Sequence, residues 1–300
     1  MPTPVFGTLF FVHASVARRA ALFGAVMATL CVACTGPVGV PPDPTGPPAI
    51  TGGSPSVAPG PAASPASAAP ATAAPDGVVF HGRSGRHRIA LTFDSNMTTA
   101  MLHRLDTGEV ASYANDQVID ELEARHVPAT FFLSGLWVQR YPELTRRIAA
   151  DPRFELASHS YAHEGFTAHC YGLAPIAPAD MAADVERSFS VLAPFGGNQT
   201  RYFRFPGGCY DRDALAAIAP AHAVVVQYDI VGGDAFSHDT ATIVDSVLGH
   251  AHDGAIVVMH ITKANAPNTA EALPQVIDGL QARGYHLVTL SQLLAPYSSR

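Results

Sequence analysis

An α/β fold built on a parallel sheet is what this 300-residue sequence predicts. Three observations carry that prediction. From Arg86 onward, short apolar runs alternate with stretches of helical periodicity, the pattern of strands joined by helical crossovers. The runs are apolar almost throughout, as strands buried on both faces are. No glycine-rich fingerprint follows the first strand, which disfavours a dinucleotide-binding arrangement. On pattern alone, an open doubly wound sheet and a closed barrel both fit.

The elements follow in order. HRIALTFD (87–94) is the first strand. NDQVIDELEARH (115–126) carries apolar residues at helical spacing, with Asn115 or Asp116 as its cap. VPATFFLSG (127–135) is a strand after a proline, PELTRRIAAD (142–151) a helix and FELASHS (154–160) a strand. PADMAADVERSFSVL (178–192) is a helix entered through Pro178, RYFRFP (201–206) a strand and DRDALAAIA (211–219) a short helix. AHAVVVQYDI (221–230) is a strand of β-branched residues, and DTATIVDSVLGHA (239–251) is a helix opened by Asp239. GAIVVMHI (254–261) is a strand, and NTAEALPQVIDGLQARG (268–284) is a helix with Gly284 at its end. YHLVTLSQLL (285–294) closes a set of seven strand-like segments.

The chain before these elements has a different composition. Arg18 and Arg19 precede the apolar run 20–33, and Cys34 follows it. A basic flank, a short apolar stretch and a small residue at its exit make an export signal, and the run is short for a membrane span. Cys34 resembles the lipidated cysteine of bacterial lipoproteins; plain cleavage and an uncleaved anchor are the other readings. Residues 35–76 are mostly Pro, Ala, Gly, Ser and Thr and read as a disordered linker, a tether for the domain at 77–300. The expected location is therefore the cell envelope, with the membrane touched only through the signal or a lipid anchor. The net charge is −7 and Lys263 is the single lysine, so a nucleic-acid partner is not expected. Cys170 and Cys209 remain in an oxidising compartment, where a disulfide between them is expected over two free buried thiols.

Polar residues interrupt the apolar pattern at one kind of place. Asp94, the His159/His163 pair, Arg204, Asp234 and His260 all stand at or just beyond the C-terminal ends of predicted strands. In a barrel of parallel strands that edge is where an active site assembles. One strand-end Asp is ordinarily a cap or turn residue; five strand ends weaken that reading. If HSYAH turns helically, its two histidines share a side and can share a metal.

The stretches ALTFDSNMT, ASHSYAH, FRFPGG, VVVQYDIVGGD and IVVMH, with the ending EALPQVIDGLQARGYHLVTLSQLL, resemble the polysaccharide deacetylase family in order and spacing. This is the NodB homology domain, or carbohydrate esterase family four, and the resemblance spans residues 86–294. It implies a distorted (β/α) barrel of seven-strand type. It also implies Asp94 as catalytic base, His159 and His163 as metal ligands, Arg204 as the partner of Asp94, and His260 as general acid held by Asp234. A backbone N–H in the Pro206, Gly207, Gly208 turn would bind the oxyanion. Where the family carries a metal-binding aspartate this chain has Ser95, followed by Asn96; the third ligand is expected to be Asn96 in preference to Ser95, its carbonyl being the longer-reaching and better donor. The implied cofactor is a divalent cation, zinc before cobalt, nickel or manganese. The implied reaction is removal of N-acetyl groups from a cell-envelope glycan such as peptidoglycan or a chitin-like chain, by a monomer. O-acetyl ester hydrolysis and glycan binding by a catalytically weakened domain are the alternatives.

Overall fold

Strand β1 (Arg88–Ser95) is the middle of the sheet, and every residue of it after Arg88 is buried. The computed structural model describes residues 77–296; the export-type segment 1–34 with Cys34, and the linker 35–76, lie outside the described residues. On one side of β1 lie, in parallel succession, β2 (Ala129–Leu133), β3 (Phe154–Ser158), β4 (Asn198–Phe203) and the two-residue β5 (Val224–Val225). On the other side lie β7 (Ile256–His260) and β6 (Ile230–Val231). A short β8 (His286–Val288) pairs with the first three residues of β1.

The parallel sheet follows the predicted alternation, with one difference. The β-branched run 221–230 is not a single strand. It forms β5 on one edge of the sheet, turns, and forms β6 on the other edge, so one chain segment spans the gap between the two edges. The cause is a competing claim on its backbone. The guanidinium of Arg204 takes the carbonyls of Val226 (3.2 Å) and Gln227 (3.1 Å), and Asp229 turns to bond the Ile256 N–H at 2.8 Å. The sheet is thereby curled into a half-barrel, a seven-strand barrel left open where this segment crosses.

Register decides what points inward. Side chains alternate along a strand, so one face of β1 carries Ala90, Thr92 and Asp94. Asp94 pairs with His260, Thr92 with Val258 and Ala90 with Ile256 across β1 and β7, and Asp94 with Phe132 across β1 and β2. A one-residue slip would turn the carboxylate and the imidazole into the outer layer. The floor of the half-barrel is filled by Ala90, Phe132, Ala157, Ile256 and Val288 with Leu290 and Leu293 of the terminal helix.

Helices cover the outer face. α2 (Asp116–Ala124) buries Val118, Ile119 and Leu122, α4 (Pro142–Ala150) buries Ile148, and α5 (Met181–Leu192) buries Val185 and Phe189. α6 (Arg212–Ile218) is short; α7 (Thr240–His250) and α8 (Thr269–Ala282) pack beside each other. Asp239 caps α7 by accepting the Thr242 N–H, and Gly284 after α8 has φ +81°, both as the sequence predicts. Asn115 holds the cap position of α2 but makes no capping bond. Three short helices escape the periodicity: α1 (Thr99–Asp106), α3 (Gly135–Arg140) and α9 (Leu290–Leu294). α9 does carry a signal in TLSQ, a capping box in which Thr289 and Gln292 satisfy each other's backbone. Among the described residues no helix is long and apolar enough to cross a membrane.

Candidate active site

The strand ends converge on a cavity of about 240 Å³ whose lining includes Asp94, Asn96, His159, His163, Gly207, Gly208 and His260. The site rests on a buried ion pair. Arg204 is fully buried and meets Asp94 Oδ1 at 2.7 Å through one guanidinium nitrogen, which also donates to Thr92 at 2.8 Å. Its remaining donors reach Val226 and Gln227, and its plane lies 3.9 Å from the centre of the Phe132 ring. A buried charge survives only when paired and hydrogen-bonded, and Arg204 is both. Asp94 is thus held in one orientation, with Oδ2 turned toward His159 Nε2 at 3.6 Å.

The two histidines come from a loop that the chain contorts to present them. Ser160 and His163 have left-handed backbones, φ +66° and +52°. The loop's carbonyls at Ser160 and Tyr161 accept the N–H groups of Gly135 and Leu136 at the start of α3. Its Tyr161 N–H, 2.8 Å away, and its Ala162 N–H donate to Asp184 of α5. Asp184 is buried, which pushes its carboxyl up to about 6 against the lowering effect of those two bonds. His159 and His163 end with ring centroids 4.9 Å apart.

Burial favours the neutral form of both imidazoles. Burial lowers the pKa of His159, and burial with the neighbouring His159 and His260 lowers that of His163 well below the usual histidine value. His159 Nδ1 bonds the Arg204 carbonyl at 2.9 Å, so its Nε2 keeps a lone pair for the cavity. His163 is buried with neither ring nitrogen bonded, and Asn96 Oδ1 is buried without a partner as well. Ser95 is different: its hydroxyl accepts the Ser134 N–H at 3.1 Å, and it does not line the cavity. Unpartnered buried lone pairs are costly unless something binds them. Two imidazoles and an amide oxygen suit a divalent cation such as zinc. Among the described residues no group of three or more His, Cys, Asp and Glu is placed to hold a metal; the Asn96 amide oxygen lines the same cavity as the two histidines.

Opposite them, His260 Nδ1 lies 2.9 Å from Asp234 Oδ1, and its backbone N–H donates to Asp234 Oδ2 at 2.7 Å. Thr269 donates to the same carboxylate at 2.6 Å. Burial alone would lower the His260 pKa, but the charge and hydrogen bond of Asp234 outweigh it and the value is raised above 6.5. Asp234 is correspondingly lowered: burial opposes ionisation, and His260 and Thr269 overcome it.

The Pro206–Gly208 turn forms the adjoining wall. Gly207 and Gly208 have φ +63° and +69°; a Cβ at Gly207 would come 2.7 Å from Cys170 Sγ, and one at Gly208 would come 2.5 Å from the Tyr228 hydroxyl. Gly208 and Cys209 spend their N–H groups within the turn, whereas Gly207 N–H has no backbone acceptor among the described residues. Cys170 and Cys209 are joined by a disulfide that ties the loop after the histidines to this turn. Of the residues expected from sequence, Asp94, Asn96, His159, His163, Gly207, Gly208 and His260 line the cavity, Arg204, Asp234, Pro206, Cys170 and Cys209 stand outside that lining, Ser95 bonds away from it, and Cys34 lies outside the described residues. Tyr171, Tyr228 and Phe236 at the rim, and Asp184 and Thr269 behind it, carry no local sequence signal and were not expected.

The comparisons agree with this architecture. The family model described as polysaccharide deacetylase matches residues 81–226. A chitooligosaccharide deacetylase of Bradyrhizobium sp. (strain ANU 289) is 30% identical over 222 residues, covering 70% of this chain and 92% of its own. A peptidoglycan-N-acetylglucosamine deacetylase of Bacillus cereus is 23% identical, covering 74% and 73%. A crystal structure of a peptidoglycan N-acetylglucosamine deacetylase superposes with TM-score 0.61 at 22% identity, covering 75% of this chain and 95% of its own; that likeness is one of fold. The chain belongs to the polysaccharide deacetylase family of hydrolases.

Proposed function

We propose that this domain removes N-acetyl groups from a cell-envelope polysaccharide, a peptidoglycan or chitin-like chain, with Asp94 as base and His260 as acid. The observation that carries the reading is the opposition of two differently tuned groups across one cavity: an Arg204-held carboxylate on β1 and an Asp234-held imidazole on the neighbouring β7. The deacetylase names of the relatives support N-acetyl over O-acetyl groups. A divalent cation, zinc before cobalt, nickel or manganese, held by His159, His163 and the Asn96 amide oxygen would acidify the attacking water and polarise the acetyl carbonyl.

The chain's own residues account for the protons. Asp94 Oδ2 faces the cavity and takes one proton from the water as it adds to the acetyl carbon. Arg204 keeps that carboxylate from rotating. Gly207 N–H is the donor available to the developing oxyanion. His260, whose proton the neighbouring Asp234 helps retain, gives it to the sugar nitrogen as the C–N bond breaks, so a free amine and acetic acid leave; the acid ionises to acetate in solvent, and the proton on Asp94 returns to the imidazole by way of water.

The cell envelope is the proposed location and a monomer the proposed state. The Arg18–Arg19 flank, the apolar run before Cys34 and the linker support export, ending in a lipid anchor or in release. The Cys170–Cys209 bridge fits an oxidising compartment. The test is acetate release by the zinc-loaded protein from N-acetylglucosamine oligomers, peptidoglycan and O-acetylated xylan. Release from the first two is expected. Release from xylan alone would make it an O-acetyl esterase, and glycan binding with no release from any would make it a binding domain.

A further inference from the structure

One hydroxyl on the cavity wall has no part in the proton transfers. Tyr228, on the segment between β5 and β6, lines the cavity together with Asp94, Gly207, Gly208 and His260. Its ring is half-buried, with its centre 5.3 Å from the Arg204 guanidinium. Among the described residues no protein group bonds the hydroxyl.

The hydroxyl is set against the Pro206–Gly208 turn. A Cβ at Gly208 would come 2.5 Å from the Tyr228 oxygen, so the second glycine of FRFPGG leaves the space that the hydroxyl fills. The preceding residue fixes this approach. Gln227 Nε2 donates to the Gly208 carbonyl at 3.3 Å, the Gln227 carbonyl accepts from Arg204 at 3.1 Å, and the Gln227 N–H reaches the Val79 carbonyl at 2.7 Å. The tyrosine thus presents its O–H beside the turn without rearrangement. Burial, with the Asp94 charge adding to it and Arg204 opposing it, raises the phenol above the ordinary tyrosine value, so the group stays a protonated donor.

We infer that the Tyr228 hydroxyl is a second donor to the oxyanion, beside the Gly207 N–H. The inference rests on the proposed function and adds a catalytic residue to it. As the water oxygen bonds the acyl carbon, one water proton passes to Asp94 and the carbonyl electron pair moves onto its oxygen. That oxygen is met by the turn that carries the Gly207 N–H, and the hydroxyl at the same turn donates to it while keeping its own proton. A pre-set donor aimed at developing charge is worth far more in a water-excluding cavity than in solvent. Phenylalanine at this position would keep the ring beside Arg204 and lose the donor alone.

The test compares zinc-loaded wild type and Tyr228→Phe, each as the full chain, on the N-acetylglucosamine tetramer. The expected result is an equal fall in kcat and kcat/KM, about a hundredfold, with KM nearly unchanged, because the lost bond is one made in the transition state. Zinc affinity, measured by competition with a chelator, should match wild type. A kcat equal to that of wild type, a loss confined to KM, or a fall in kcat matched by a fall in zinc affinity overturns the assignment while leaving deacetylation by wild type intact. Should wild type release no acetate from any glycan, para-nitrophenyl acetate decides, since its hydrolysis forms an oxyanion at the same place. A comparable fall in Tyr228→Phe then supports the donor, and equal rates, or none by wild type, overturn it.

Discussion

At the scale of single residues, Asp94 in the cavity and Asp234 behind it do different work because their neighbours differ. Asp94 faces a guanidinium and Asp234 faces an imidazole. A histidine raised above 6.5 by its partner keeps its proton as the pH climbs, and the stability that the pair contributes is full below 6.5 and fades as pH rises through the folded value. The alkaline limb of kcat/KM should therefore lie above 6.5, and Asp234→Asn should move it down and lower the plateau; a pH–rate profile checks both. The residue after Ser95 carries the second prediction. Asn96→Ala should weaken zinc affinity about tenfold or more and Asn96→Asp should strengthen it, while Ser95→Ala leaves it unchanged, measured by competition with a chelator. The sequence showed the strand-end Asp94, the HxxxH-type pair and His260. Asn96 is preferred to Ser95 there for its longer reach and better donor; the contact that holds Ser95 away from the cavity is not legible. In that contact the Ser134 N–H, 39 residues away in the chain, captures the serine hydroxyl.

At the scale of elements, the histidine loop is the least regular and the most supported part of the site. Two left-handed residues other than glycine, Ser160 and His163, are stabilised by α3 on one side and by Asp184 on the other. A helical turn in HSYAH would place its two imidazoles on one face. The imidazoles are indeed side by side, but the chain reaches that arrangement through a non-helical loop. Asp184→Ala leaves the N–H groups of Tyr161 and Ala162 without their acceptor. It should weaken zinc binding about tenfold to a hundredfold, the range for groups that orient a ligand from behind, with KM for glycan little changed. Calorimetry with zinc and steady-state kinetics separate the two effects. Alternation and apolar strands were legible because they repeat; α3 was not, because it has only six residues, and α1 was not, because it buries a single side chain, Leu105.

At the scale of the whole domain, the segment 224–231 crosses the open gap of the half-barrel between its two edge strands, and Arg204 clasps it there. Its guanidinium joins β1 through Thr92 and Asp94 to the crossing chain through Val226 and Gln227. AHAVVVQYDI reads as one strand because its β-branched centre dominates, although Asp229 is a poor strand former, and what takes its carbonyls is an arginine just past the end of β4. Arg204→Ala should thus cost about 3–5 kcal/mol of stability as well as activity, because it strands a buried carboxylate; urea denaturation measures it. Arg204→Lys should not restore activity, since an ammonium group cannot span the same four acceptors. The direct measurement of the central claim is acetate release from N-acetylglucosamine oligomers by wild type and by Asp94→Asn, each loaded with equal zinc. A fall of about a hundredfold to ten-thousandfold in kcat is expected, with zinc content and glycan affinity preserved. An Asp94→Asn enzyme as fast as wild type would contradict it.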